Sequence, residues 1–172
     1  MAELRDWLRL DATNEDAVLA SLVTTARLAL ESHTRRGFIQ QVWRFTYFTP
    51  SLGGMLRLPL GPLRSLAALR CYDGAGLATT LSAEAVQITP DDQRPAVRIL
   101  DAAACASCAR VELDVSIGYG DGADAVPAPL RQAILMLATN WHARRGDHPE
   151  IEMTIPRAVA ALAQPYRRAR LA

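Results

Sequence analysis

The sequence predicts an α+β fold, a helical body carrying an inserted lobe of short, mostly antiparallel β-strands. Three observations lead there. Apolar residues recur at helical spacing near both ends of the chain, at Leu19, Leu22, Val23, Ala26 and Leu30, and again at Leu130, Ile134, Leu137 and Trp141. Between these stretches the period falls to two, most clearly in "VWRFTYF" and "RVELDVSI". Turn-forming runs such as "PSLGG", "YDGAG" and "GYGDGADAVPAP" separate the strand-like segments. The expected organisation is one domain over residues 1–172, with helical parts at 1–40 and 123–172 and a β lobe at 41–122.

Each element follows from its own residues. "LRDWLRL" reads as a short lead-in helix. A long helix is expected at 14–36. Thr13 and Asp16 have capping-box spacing, and Asn14, Glu15 and Asp16 place acceptors and negative charge at the positive end of the helix dipole. Arg35 and Arg36 suit its negative end, and Gly37 is a natural stop. In "VWRFTYF", Trp43, Phe45 and Tyr47 share one face, with Arg44 and Thr46 on the other. "MLRLP" is a short strand closed by Pro59. Another strand is expected at 64–72, then a turn at 73–76 and two weaker strands near 86–89 and 96–100. In "RVELDVSI", Val111, Leu113, Val115 and Ile117 point one way, against Arg110, Glu112, Asp114 and Ser116, which predicts one packed face and one wet or interfacial face. A helix of about 128–145 ended by Gly146 follows the return loop, and a last helix begins near Pro156 with Val159, Leu162 and Tyr166 on one side.

Composition narrows the function classes. At 172 residues and 50% apolar, the chain can bury a substantial core without disulfides or metal. A formal net charge of +1 excludes a strongly basic nucleic-acid binder. All 19 basic residues are arginine, a bias that fits a GC-rich coding composition and equally fits planar forks at interfaces. The three cysteines, Cys71, Cys105 and Cys108, are few and odd in number, which points to a reducing compartment rather than a disulfide scaffold. No stretch reaches the roughly 18 apolar residues of a membrane span. "MAELRDWLRLDATNED" lacks an apolar signal core, so a soluble protein without a standard secretion signal is expected.

The chemistry-bearing residues do not assemble into a site. "LATNWHARRGDHPEI" gathers His142, His148, Asp147, Glu150, Arg144 and Arg145. A metalloprotease-type centre needs two histidines four apart on one helical face with a glutamate beside the first, and this spacing differs. The plainer reading is a charged helix end followed by loop punctuation. "CASC" has the spacing of a zinc knuckle or redox pair, but it lacks both a second pair and a helix-start context, and reads as loop cysteines without a role. His33 lies on the apolar stripe of the long helix as a core histidine. No nucleotide-binding loop or nucleophile elbow is present. The terminal "PYRRARLA" differs in kind. Its tyrosine and three arginines are interface-enriched types, and arginine forks match carboxylates and phosphates.

Two longer stretches carry a resemblance: "LRLPLGPLRSLAALRCYDGAG" and "VELDVSIGYGDGADAVPAPLRQAILMLATNWHARRG". With the closing "P-AV-AL-PYRR", they resemble the head–tail connector (adaptor) family of tailed phages and gene transfer agents. The likeness spans most of residues 14–170; the loop around "CASC" and the absence of lysine lie outside it. The resemblance implies a structural protein rather than an enzyme, with no cofactor and no metal. It implies a homo-oligomeric ring, expected to be a dodecamer, beneath the portal protein of a phage-like particle. The ring would carry a tail-side connector or stopper protein, with DNA passing through its channel without sequence-specific binding and no membrane partner. Assembly would take place in the bacterial cytoplasm. By the same resemblance the C-terminal segment docks on the portal, making Tyr166, Arg167, Arg168 and Arg170 the candidate portal contacts. Gly118, Tyr119, Gly120, Asp121 and Gly122 are candidates for ring or channel contact. The last ~8 residues are then expected to be mobile until they meet the portal. The alternative is a small DNA-binding or DNA-packaging accessory protein that uses its arginine-rich tail on phosphates. An enzyme whose site forms only in the fold comes third.

Overall fold

The computed structural model describes residues 2–8, 15–48, 54–89, 91, 93–101, 103, 106, 108–144 and 154–168. Thr13, Asn14, Cys105, Arg145, Gly146, Asp147, His148, Glu150 and Arg170, all named above, lie outside them. The chain divides into two compact units, Met1–Thr34 with Val126–Arg167, and Arg35–Ala125 with Arg168–Ala172. The first is helical and the second is the inserted β lobe, so the α+β class stands.

The helical unit contains α1 (Ala2–Leu8), α2 (Asp16–Thr34), α3 (Ala128–Ala143) and α4 (Arg157–Ala163). α2 packs on α3, and α3 on α4. The expected stripes supply part of the core: Leu19, Ala26 and Leu30 from α2, Leu130 and Leu137 from α3, and Val159 from α4 are buried, whereas Leu162 and Tyr166 are half-buried and Ala163 takes the other buried position of α4. Burial of each leucine contributes about 1.5–3 kcal/mol. α1 adds the buried Leu4, and its Arg5 is ion-paired with Asp16 at the start of α2. α3 opens after Pro127, whose carbonyl accepts from the Leu130 and Arg131 amides at 2.9 and 3.1 Å. Near its far end, His142 Nε2 lies 2.8 Å from the Glu15 carboxylate.

α2 ends earlier than its glycine predicts. The helix stops at Thr34, and Arg35 takes the left-handed turn at φ 56°. Gly37 is instead occupied in the β lobe, where its amide donates to the Gly61 carbonyl at 2.8 Å. The Gly61 amide in turn donates to the Arg35 carbonyl at 3.3 Å, and Arg36 forms a bridge with Gly61. These exchanges lie within the second compact unit, which begins at Arg35.

Among the described residues the β lobe holds seven strands: β1 (Gln41–Phe48), β2 (Met55–Arg57), β3 (Leu63–Tyr72), β4 (Ala78–Thr80), β5 (Val86–Thr89), β6 (Ala96–Ile99) and β7 (Arg110–Ile117). They form a four-stranded sheet in the order β1-β7-β3-β4 and a three-stranded sheet in the order β2-β6-β5, and every strand pair is antiparallel. β4 was not expected from the sequence. It follows the 73–76 turn, where Asp73 Oδ1 accepts from the Ala75 and Leu77 amides, both at 2.9 Å. The alternating residues of β7 form the centre of the core, with Leu56, Leu58, Leu69, Val97 and Ile99 around them. Tyr47 connects the sheets: its hydroxyl donates to the Arg57 carbonyl at 2.8 Å, and burial pushes its pKa up to about 12.

The cysteines require a correction. Cys108 is not a loop cysteine without a role: it is joined in a disulfide to Cys71 of β3, with Cα atoms 5.3 Å apart. The two residues are separated by 37 positions in the chain, and only the alignment of β3 beside β7 makes them neighbours. The low, odd cysteine count argues against a disulfide, and the structure contains one because β3 brings Cys71 beside Cys108.

Candidate assembly sites

The C-terminal segment follows from α4. After Ala163 the chain tightens into one turn over Gln164–Tyr166, closed by the Arg167 amide donating to the Gln164 carbonyl at 3.1 Å. Pro165 fits there because it sits in the opening residues of the turn, where no backbone donor is needed. Tyr166 is half-buried and Arg167 is exposed. Arg167 lies near the end of α2: burial lowers the pKa of His33, and the Arg167 charge lowers it further. His33 is half-buried on its helix rather than a full core residue.

Arg168 is held differently. Its Nε donates to the Gln93 carbonyl and its Nη2 to the Leu58 carbonyl, both at 3.0 Å. Burial, followed by the like charges of Arg36 and Arg35, lowers its pKa, with Asp91 acting in the opposite sense. Arg35, Arg36 and Arg168 thus form a cationic cluster within the β lobe. Tyr166 belongs to the local turn that follows α4, and Arg168 is bound to two backbone carbonyls of the β lobe. Arg170 is outside the described residues.

The return loop is a structural junction. Gly118 has φ 133°, and a Cβ there would meet the Gln40 amide and the Ile39 carbonyl group at 2.7 Å, so only glycine fits. The Gly118 amide donates to Pro62, the Tyr119 amide to Phe38, and the Gln40 amide to Gly120, at 3.1, 3.1 and 2.7 Å. Arg64 Nη1 donates to the Tyr119 carbonyl at 2.5 Å, and Arg36 Nη1 to its hydroxyl at 3.4 Å. Gly118 and Gly120 are buried, and Tyr119 and Gly122 are half-buried; of the five candidates, Asp121 alone is exposed.

The outer face of the four-stranded sheet carries a polar network that sequence reading did not connect. Asp114 accepts both prongs of the Arg44 fork, at 2.6 and 3.0 Å, and an Arg70 bond at 2.7 Å. These two arginines, Arg44 first, hold its carboxyl at about 2. Beside them the Tyr72 hydroxyl donates to Glu112 at 3.0 Å, and the Arg110 guanidinium lies 4.0 Å from the Tyr72 ring centre. The alternation of "RVELDVSI" had marked this face as polar; its partners came from β1 and β3. Among the described residues no three His, Cys, Asp or Glu side chains cluster to hold a metal ion. Likewise, no helix is long and apolar enough to cross a membrane.

Three solved structures resemble the chain over nearly all of it. A chain of the virion of a native gene transfer agent (GTA) particle is 32% identical with a TM-score of 0.81, the match covering 99% of this chain and 90% of that one. A chain in the neck of an empty GTA particle, computed with C6 symmetry, is 31% identical with a TM-score of 0.80, over 99% and 90%. A chain in the neck of a native GTA particle, computed with C12 symmetry, is 30% identical with a TM-score of 0.76, over 99% and 89%. No family model matches the chain, and no curated protein does.

Proposed function

The chain belongs to the head–tail connector family of gene transfer agents, and from that premise we propose that it is a ring subunit of the particle neck. In this reading the ring sits beneath the portal and carries the next tail component, a connector or stopper, while DNA passes through its channel. The observation that carries the proposal is the 31% identity, over 99% of the chain, to a protein in a particle neck described with cyclic symmetry. A dodecamer accords with the C12 symmetry of a related neck. The relatives are structural components of the particle, and the function here is mechanical.

Tyr166, Arg167, Arg168 and Arg170 are the proposed portal contacts, with distinct roles. Arg167 is the exposed fork available to a portal carboxylate. Arg168 is the fork bound to two backbone carbonyls of the β lobe. Of the five candidates in the return loop, Asp121 is the exposed one that would face the channel or a neighbouring subunit.

Co-expression with the cognate portal followed by negative-stain imaging tests the reading, and rings on the portal are the expected result. Replacing Arg167 and Arg170 with alanine should weaken docking by about tenfold or more, equivalent to ~1.4 kcal/mol, without changing the melting temperature. A large loss of melting temperature would assign these arginines to the fold instead. Tight, steeply salt-dependent binding to naked DNA, with no rings, would favour the DNA-packaging alternative.

A further inference from the structure

β1 occupies one edge of the four-stranded sheet, paired with β7 along its whole length and with no strand on its other side among the described residues. Alternate backbone amides and carbonyls of this strand therefore point away from the sheet. A long, regular edge of this kind is a template for another chain, and natural proteins usually blunt it with a bulge, a proline or a lysine. β1 has none of these, and its register with β7 runs unbroken from Gln41 to Phe48. The opposite edge, β4, is only three residues long.

The side chains agree with the backbone. The outward-facing positions of β1 are Val42, Arg44, Thr46 and Phe48. Phe48 is 75% exposed and Val42 is 72% exposed, and on the inner face Trp43, stacked on Phe45, remains 40% exposed. The single charge on the strand, Arg44, is committed to Asp114. A half-buried strand should alternate apolar and polar residues; this one carries apolar residues on both faces, as covered strands do.

We propose that the β1 edge, with Val42 and Phe48, is the surface on which the next copy of this chain docks in the ring. The inference rests on the ring reading above. In a closed cyclic assembly each subunit meets its neighbours through two different patches, so β1 would be covered by a part of the neighbour other than its own β1. A self-pairing of β1 with β1 would close a twofold dimer and stop.

The test places the photo-crosslinking residue p-benzoylphenylalanine at position 48 of the full chain, an aromatic-for-aromatic exchange at an exposed site. Necks are then assembled with the cognate portal and irradiated. The expected product is a ladder of covalently joined copies, with the far end of each link mapped by peptide mass spectrometry outside residues 41–48. Intact rings whose links run to the portal or a tail protein, or join position 48 to position 48, overturn the proposal, as do intact rings with no link. Absence of rings from the unmodified chain with its portal overturns the ring reading and this inference together. In a second arm, Val42→Arg with Phe48→Glu should abolish rings while the monomer keeps its circular dichroism spectrum and melting temperature. Rings that persist in that variant also overturn the proposal, and if the variant misfolds the cross-link decides.

Discussion

β1 and β7 are paired residue for residue over eight positions, yet β7 alternates apolar with polar residues while β1 carries apolar residues on both faces. β7 lies between β1 and β3, and its Val111, Leu113, Val115 and Ile117 are fully buried. β1 lies at the edge and leaves Val42 and Phe48 in water. Alternation decides which face a residue takes; the strand's place in the sheet decides whether that face is covered. Both strands give their inner faces to the core, and β1 in addition exposes apolar residues on its outer face, which the proposal assigns to a partner.

The largest expected effect tests this contrast directly. Leu113→Ala in β7 should cost about 3 kcal/mol of unfolding free energy, through lost burial and the cavity left behind. Phe48→Ser in β1 should change it by less than about 0.5 kcal/mol. Denaturant unfolding of both variants measures the difference, and a Phe48→Ser loss approaching that of Leu113→Ala would end the comparison.

A smaller effect concerns the network that fastens the two strands on the outer face. Asp114→Asn should cost about 2 kcal/mol, because it removes charge-assisted bonds from Arg44 and Arg70. The folded carboxyl titrates at about 2, below the ordinary 3.8, so its stabilisation is complete above the ordinary value and is lost as pH falls through the folded one. Stability profiles between pH 2 and pH 5 should show a shallower acid limb in the variant.

The smallest effect lies on the inner face of β1. Tyr47→Phe should cost about 1 kcal/mol by deleting the bond to the Arg57 carbonyl. The raised tyrosine pKa makes the wild-type chain lose stability as pH rises from about 10 toward about 12, since the unfolded chain gives up that proton first. The phenylalanine variant should lack that portion of the alkaline decline. An unchanged alkaline limb would mean that Tyr47 is as open to water as Phe48, and β1 would then be an edge on both faces.

Much of this architecture can be read without coordinates. The stripe at Leu19, Ala26 and Leu30, the stripe at Leu130 and Leu137, and the period-two runs around Trp43 and Val111 predict the helices and longer strands where they occur. The resemblance in "LPLGPLRSL" and "VSIGYGDG" predicts the family that the particle structures support. The candidate residues were less legible. The glycines of the return loop are there because two backbone segments approach closely, and a glycine-rich run does not reveal whether it is open or packed. Arg168 looked like a free fork because its acceptors, the carbonyls of Leu58 and Gln93, are backbone atoms with no signature in residue type. Val42 and Phe48 were the overlooked signal: apolar residues at the two ends of a face otherwise read from Arg44 and Thr46.

The sequence by itself determined the period of each segment, and with it the α+β class, because the spacing of apolar residues along a helix or strand is a local property of the backbone. Only the tertiary structure decided the strand order β1-β7-β3-β4, the joining of Cys71 to Cys108, the Arg44–Asp114–Arg70 network and the exposure of the β1 edge. Each of these depends on which distant segments become neighbours. That choice is made by the packing of the whole core and leaves no mark on any single stretch of chain.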